Sequence, residues 1–286
     1  MPYSLAGRNV LITGGSRGLG ALSVEKFASE GSNIAINYMS SKETADKLAS
    51  DVASKYNVKT VVIQGDAGIK QDCINTVHSA IEQLGGLDII ISNAGWTKIT
   101  NFGDLDAMDD DDWDKCWSVN VKSSLHLFKA ALPTFNANPD GGVFLITASI
   151  AGVTATGSSL PYAVTKAACK LFFRGWFWIN DSPWTVIHLM KCLAQTQGAK
   201  VRVNAILPGL LLTEWGQRFP PEKIEGWTNA TVLKRAVSDS SPKATLKALM
   251  ITQPEVEDCA DMFITLAKNA SMTGQAIQID SGFAIN

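Results

Sequence analysis

Three residues in the stretch SIAGVTATGSSLPYAVTK have the types and the spacing for proton transfer at an oxygen: Ser149, Tyr162 and Lys166. Tyr162 and Lys166 are four positions apart, which on a helix places both side chains on one face, a turn from each other. Ser149 stands thirteen residues before Tyr162 and follows the apolar run Val143–Ile146. A serine at a strand end and a tyrosine early in the next helix can meet at one point. A free tyrosine, with a pKa of about 10, is a poor base at neutral pH. A lysine ammonium nearby favours the phenolate and lowers that value. Tyr162 would then exchange a proton with a substrate oxygen near pH 7, with Ser149 hydrogen-bonded to the same oxygen. The pattern Y-x-x-x-K also arises by chance on amphipathic helices, so its weight depends on the residues upstream.

Those residues describe a scaffold for a dinucleotide. Val10–Ile12 reads as a buried strand, TGGSRGLG follows at Thr13–Gly20, and a helical pattern runs through Ala28. Glycines let a backbone approach a pyrophosphate, and a helix N-terminus attracts its charge. This assigns Gly14, Ser16, Arg17, Gly18, Leu19 and Gly20 to the cofactor. Asn33–Tyr38 is the second strand. A site that prefers NAD places an acid at that strand's end, to bond the ribose 2′-hydroxyl. Here Tyr38 stands in that place, and no Asp or Glu follows until Glu43. Arg17, Ser40 and Ser41 suit a 2′-phosphate, so the pattern predicts NADP(H) over NAD(H). The alternative for Arg17 is a solvated loop charge.

The alternation continues with helix 45–55, strand Thr60–Gln64, helix 71–84 and strand 87–91. Repeated βα units with apolar strands predict an α/β fold with a parallel, doubly wound sheet. Asp66, with Ala67 beside it, follows the third strand and can reach an adenine. Asn93, Ala94 and Gly95 follow the fourth, where small residues can border the cofactor. Strand 200–206 ends in PGLLLT, and the chain closes with a last strand and turn in 272–282. The acidic run Asp109–Asp112 reads as a solvated helix start, since acids favour that end; no metal is expected. His78, His126 and His188 share no cluster and read as structural.

The bulk properties agree. A chain of 286 residues can form one large domain. Its 46% hydrophobic and 18% charged content is that of a soluble globular protein. A net charge of −2 gives no reason to expect nucleic acid or an anionic membrane. Five scattered cysteines without a C-x-x-C pair suit reduced thiols and a cytoplasmic setting better than a disulfide frame or zinc site. No signal peptide is expected, because strand-like residues begin by Asn9. The apolar stretch 171–179 is too short to span a bilayer and contains Arg174.

Taken together, TGGSRGLG, SNAG, Asn120, Ser149, YAVTK, PGLLLT and TGQAIQIDSG resemble the short-chain dehydrogenase/reductase family, in family order over nearly the whole chain. The resemblance is nearest to 3-oxoacyl-carrier-protein reductase-like and glucose-dehydrogenase-like members. It implies one Rossmann-like domain with helices on both faces of the sheet. It implies hydride transfer between nicotinamide C4 and a carbonyl or alcohol carbon of a small molecule, by a homodimer or homotetramer. Tyr162 would be the general acid/base, Lys166 would hold the ribose, and Ser149 would position the substrate oxygen. Asn120 would help hold a water in a proton relay. Pro208, Gly209, Leu211 and Thr213 would border the nicotinamide, the last two at its carboxamide. Fold resemblance does not fix the substrate.

Two segments depart from the family pattern. Residues 169–186, CKLFFRGWFWINDSPWTV, interrupt the helix that normally continues from Lys166, and Gly175 and Pro183 would break it. Residues 237–253, VSDSSPKATLKALMITQ, separate KRA from PEVEDCA in the lid region of about 210–255. We hypothesise that both are translated introns. Val-Ser and Cys-Lys-Leu can each be encoded with GTAAGT, a common intron start. The Thr-Val and Gln-Pro ends are compatible with AG. Splicing the first would leave Leu or Phe at the junction, so that the helix reads YAVTKAALIHLMKCLA with Leu. A second expectation, of another class, follows if the segments are native: an NADP-binding protein whose active-site helix is disrupted and whose catalysis is impaired.

Overall fold

The computed structural model describes residues 3–167, 185–233 and 256–285. Seven strands form one sheet: β1 (Asn9–Ile12), β2 (Asn33–Tyr38), β3 (Thr60–Gln64), β4 (Ile89–Ser92), β5 (Gly142–Thr147), β6 (Val201–Pro208) and β7 (Ala276–Ile279). Every pairing is parallel, and the order is β3-β2-β1-β4-β5-β6-β7. This is the doubly wound, Rossmann-like sheet that the alternation predicts.

The strands are apolar throughout because both faces are covered. Val10, Ile12, Ile34, Ile36, Ile89 and Ile91 point to one face. There they meet helices α1 (Gly18–Ser29) and α2 (Lys42–Tyr56), and a later helix, Val256–Lys268, through Val24, Phe27, Val52 and Phe263. Leu11, Ala35, Ile90 and Phe144 point to the other face. They meet α3 (Lys70–Leu84) and two further helices, Ser123–Ala137 and Thr185–Gln197, through Val77, Phe128, Ile187 and Met190. The Phe128 and Phe144 rings pack edge to face at 5.2 Å. Each such side chain contributes about 1.5–3 kcal/mol by its burial.

In chain order these helices continue as α4 (Asp110–Trp117), α5 (Ser123–Ala137), α6 (Leu160–Ala167), α7 (Thr185–Gln197), α8 (Pro221–Ala230) and α9 (Val256–Lys268). The acidic run opens α4: Asp109 accepts from the Asp112 N–H at 2.9 Å, and the Asp112 carboxylate pairs with Lys98. Sequence periodicity places Asn120 mid-helix. The structure places it there, within a π-helical turn at Ser118–Lys122 that carries α4 into α5 without a break. That wider turn, typical of functional positions, brings Val119, Asn120 and Val121 all into the interior.

The sheet order reverses at β1, whose neighbours are β2 and β4. Ligands bind in the crevice at the carboxyl ends of the strands at such a switch point. Segment 169–186 lies outside the described residues except for Thr185 and Val186, which open α7. Segment 237–253 lies wholly outside them.

Candidate active site

The loop after β1 is a bare backbone cradle. Gly14 has φ +60°, and a Cβ on Gly20 would stand 2.2 Å from the Gly14 carbonyl oxygen and 2.8 Å from Asn93 Nδ2. No side chain fits at position 20. Helix α1 begins beyond Arg17, with no side-chain cap and no acid in its first turn. A helix N-terminus left open in this way is an anion site, so these residues fit a pyrophosphate. Ser16 and Leu19 are buried beneath the loop. Thr13 Oγ1 accepts from the N–H groups of Asn93 (2.9 Å) and Ala94 (3.1 Å), which pins the loop after β4 to the loop after β1.

At the end of β2 the Tyr38 ring is buried in the core, and its carbonyl oxygen accepts from Gly65 N–H at 2.9 Å. Met39 and Ser40 are exposed, and Ser41 is half-buried ahead of α2. Met39, Gln64, Gly65, Asp66, Asp72 and Asn75 border a cavity of about 280 Å³. Asp66 Oδ1 accepts from Gly68 N–H at 2.7 Å, and the Ala67 carbonyl accepts from the Cys73 thiol. Arg17 is largely exposed, 3.9 Å from the Glu214 carboxylate.

The loop after β6 closes the other side. Gly209 N–H bonds the Ile279 carbonyl, Leu211 packs on the core, and the Thr213 methyl is 3.4 Å from the place of a Cβ on Gly18. Gly95 faces Asn120 Oδ1 and the Trp215 ring.

Ser149, Tyr162 and Lys166 come together above β5. Ser149 follows the strand in extended conformation, and its Oγ accepts from Ala151 N–H, starting a short turn at Ile150–Gly152. Tyr162 lies in the first turn of α6 and Lys166 in its last. Burial pushes the Tyr162 phenol up to about 12, and only its hydrogen bond with Ser149 works the other way. Lys166 is 4% exposed, and burial lowers its ammonium to about 8. Its Nζ donates to the Thr147 carbonyl oxygen at 2.7 Å and lies 5.6 Å from the Tyr162 ring centre. The sequence predicts that Lys166 lowers the tyrosine pKa. In this structure desolvation of the phenol outweighs any such effect.

The Asn120 side chain makes three hydrogen bonds. Oδ1 accepts from Trp96 N–H at 2.8 Å, and Nδ2 donates to the Trp96 carbonyl (3.0 Å) and to Thr165 Oγ1 (3.1 Å). It ties the loop after β4 to α6.

Four residues here are not evident from the sequence. Thr147 holds Lys166 through its carbonyl and donates from Oγ1 to Asn93 Oδ1 at 3.0 Å. Asn37, buried in β2, accepts from Gly14 N–H at 3.3 Å and donates to the Ile63 and Gly65 carbonyls. Thr13 anchors the loop after β4. Trp215 sets its ring edge-on to Tyr162 at 5.6 Å. A polar residue inside an apolar strand is the one available signal, and it marks Asn37 alone.

The architecture and the crevice define a nucleotide-binding α/β protein with a serine, a tyrosine and a lysine at the mouth of its switch point. Residues 8–177 match the short chain dehydrogenase family. The chain belongs to that family of oxidoreductases. It is 28% identical over 274 residues to ketoacyl reductase 2 assigned to the granaticin polyketide synthase of Streptomyces violaceoruber, covering 95% of this chain and 94% of that one. It is 27% identical over 284 residues to L-rhamnose 1-dehydrogenase (NADP(+)) of Thermoplasma acidophilum, covering 98% and 97%. The NADPH-dependent 3-quinuclidinone reductase of Rhodotorula rubra has the same fold, with TM-score 0.80, 23% identity and coverage of 99% and 93%. Solved structures of this fold include complexes with NADP and with NADH. Among the described residues no helix is long and apolar enough to cross a membrane.

Proposed function

We propose that this chain is an NADP(H)-dependent oxidoreductase that interconverts a small-molecule carbonyl and a secondary alcohol, with Tyr162 as general acid/base. The observation that carries the reading is the pairing of Tyr162 with Ser149 beside a buried Lys166. The nicotinamide would supply the hydride. Ser149 donates a hydrogen bond to the substrate oxygen, and Tyr162 transfers its proton there as negative charge develops. A phenol pushed up to about 12 keeps its proton at neutral pH and has it to give to the carbonyl oxygen in the reducing direction. Lys166, fixed by Thr147, meets the ribose and presents its charge below the phenol. Asn120 is a positioning residue between α6 and the loop at Trp96.

Gly14, Ser16, Gly18, Leu19 and Gly20 would hold the pyrophosphate, and Asp66 and Ala67 the adenine side. Asn93, Ala94, Gly95, Pro208, Gly209, Leu211 and Thr213 would border the nicotinamide. NADP(H) is favoured by Arg17 at the loop, by Ser40 and Ser41, and by the absence of an acid at the end of β2. Tyr38 contributes through its backbone, since its ring is in the core. The names of two relatives, NADP(+)- and NADPH-dependent, point the same way. A homo-oligomer in the cytoplasm completes the proposal. The impaired-catalysis reading is not favoured, because the catalytic side chains assemble within the described residues. Consumption of NADPH with a panel of aldehydes and ketones tests the proposal. No consumption with any carbonyl, despite bound cofactor, would overturn it.

A further inference from the structure

The lid helix α8 carries a cation that reaches the loop packed on Tyr162. Lys223 Nζ donates to the Gly157 carbonyl oxygen at 3.3 Å and lies 5.0 Å from the Trp227 ring centre and 5.5 Å from that of Phe219. Gly157 abuts the reaction centre: a Cβ on it would stand 3.7 Å from Tyr162 Cδ1. Chaining these contacts through one residue's own dimensions puts the ammonium within roughly 10 Å of the Tyr162 ring.

Lys223 has no carboxylate partner among the described residues. Glu222 and Glu225 on the same helix are exposed and unpaired with it. An ammonium has three hydrogens to donate, and the described residues take one of them, at long range. Partial burial lowers its pKa, since its neighbours desolvate the charge without offering an anion. The Phe219 and Trp227 rings pack edge to face beside the ammonium, and the Trp215 ring packs edge-on to Tyr162.

We infer that Lys223 is a specificity-determining residue that binds a carboxylate on the substrate, so that the enzyme acts on oxo-carboxylates whose carbonyl and carboxylate are a few bonds apart. An anion there supplies a partner that the described residues do not. This rests on the reductase reading and names its substrate class. A carboxylate is recognised by charge-assisted bonds, and an uncharged ester of the same shape is not.

The test compares oxo-carboxylates with their methyl esters, using the full chain and NADPH, in wild type, K223M and K223R. Methionine keeps the stem and loses the charge; arginine keeps the charge. Wild type should prefer the acid, and K223M should lower kcat/KM for the acid about 10- to 100-fold more than for the ester. K223R should retain the preference. Equal losses for acid and ester would show that Lys223 only latches the lid to Gly157, and would overturn the inference. Isothermal titration of the NADP-bound protein with the same pairs separates the two claims. Selective binding of the acid without turnover would sink the reductase reading and leave Lys223 its role. Turnover of carbonyls with no preference for the acid would do the reverse.

Discussion

The Lys166 ammonium donates to the Thr147 carbonyl oxygen at 2.7 Å while it stands 5.6 Å from the centre of the Tyr162 ring. Thr147 in turn donates to Asn93, and Asn93 Nδ2 donates to the Thr13 and Gly14 carbonyls. A continuous line of hydrogen bonds therefore joins the reacting lysine to the glycine loop. In the proposed reading these bonds tie the cofactor loop to the residues of proton transfer.

This arrangement sets a pH dependence. With Lys166 at about 8 and Tyr162 at about 12, Lys166 titrates first in the free enzyme. We expect kcat/KM for carbonyl reduction to be flat below about pH 8 and to fall above it, as the ammonium loses its charge. The same shift acts on stability. An unfolded lysine titrates at about 10.4, so between about 8 and that value the unfolded state binds more protons. The Lys166 contribution then rises with pH across that window. A K166M variant, followed by denaturant unfolding at several pH values, should lack this rise and have no reductase activity. A variant with wild-type pH profiles would remove Lys166 from the account.

Gly20 packs against the Gly14 carbonyl with no room for a methyl group. Gly20→Ala should cost about 1–3 kcal/mol through overpacking and abolish the thermal shift given by NADPH. A G20A protein that binds NADPH normally would show that the loop is not the cradle described.

Arg17 decides between cofactors in this reading. A ligand at 100 times its Kd stabilises the fold by about 2.7 kcal/mol. NADPH should raise the melting temperature more than NADH at equal concentration, and Arg17→Ala should shrink the NADPH shift and leave that of NADH in place. Equal shifts in the wild type would argue against NADP(H) preference.

Much of this was legible in the sequence, for physical reasons. Both faces of the sheet are buried, so Val10–Ile12 and Val143–Ile146 are uninterrupted apolar runs between helical periods. The glycine loop, Ser149, Tyr162 and Lys166 are local patterns with fixed spacing. The lysine's true partner is a backbone carbonyl, which has no side-chain signature. Trp215 reaches Tyr162 through tertiary packing from a later loop. Tyr38 reads as a cofactor contact by position, but an aromatic ring at the end of a buried strand packs inward. The pKa expectation failed because spacing reports proximity to Lys166 and not how deeply the phenol is desolvated.

The helix flanking segment 169–186 bears on the splicing hypothesis. Ala163, Lys166, Ile187, Met190 and Ala194 are all buried. If 169–186 is excised and one leucine is left at the junction, these positions recur in steps of three, four, three and four, the period of one continuous amphipathic helix. Sequencing of mature transcripts should show both 169–186 and 237–253 removed. The spliced protein should also melt higher than the full chain. Mature transcripts that retain both segments in frame would refute the hypothesis.

The most direct test of the central claim is Tyr162→Phe, measured for NADPH-dependent carbonyl turnover and for NADPH-induced thermal shift in the same preparation. Removing the phenolic proton should lower turnover by about 100- to 10,000-fold, the usual contribution of general acid catalysis, with the thermal shift unchanged. Turnover within a few-fold of the wild type would contradict Tyr162 as the proton donor.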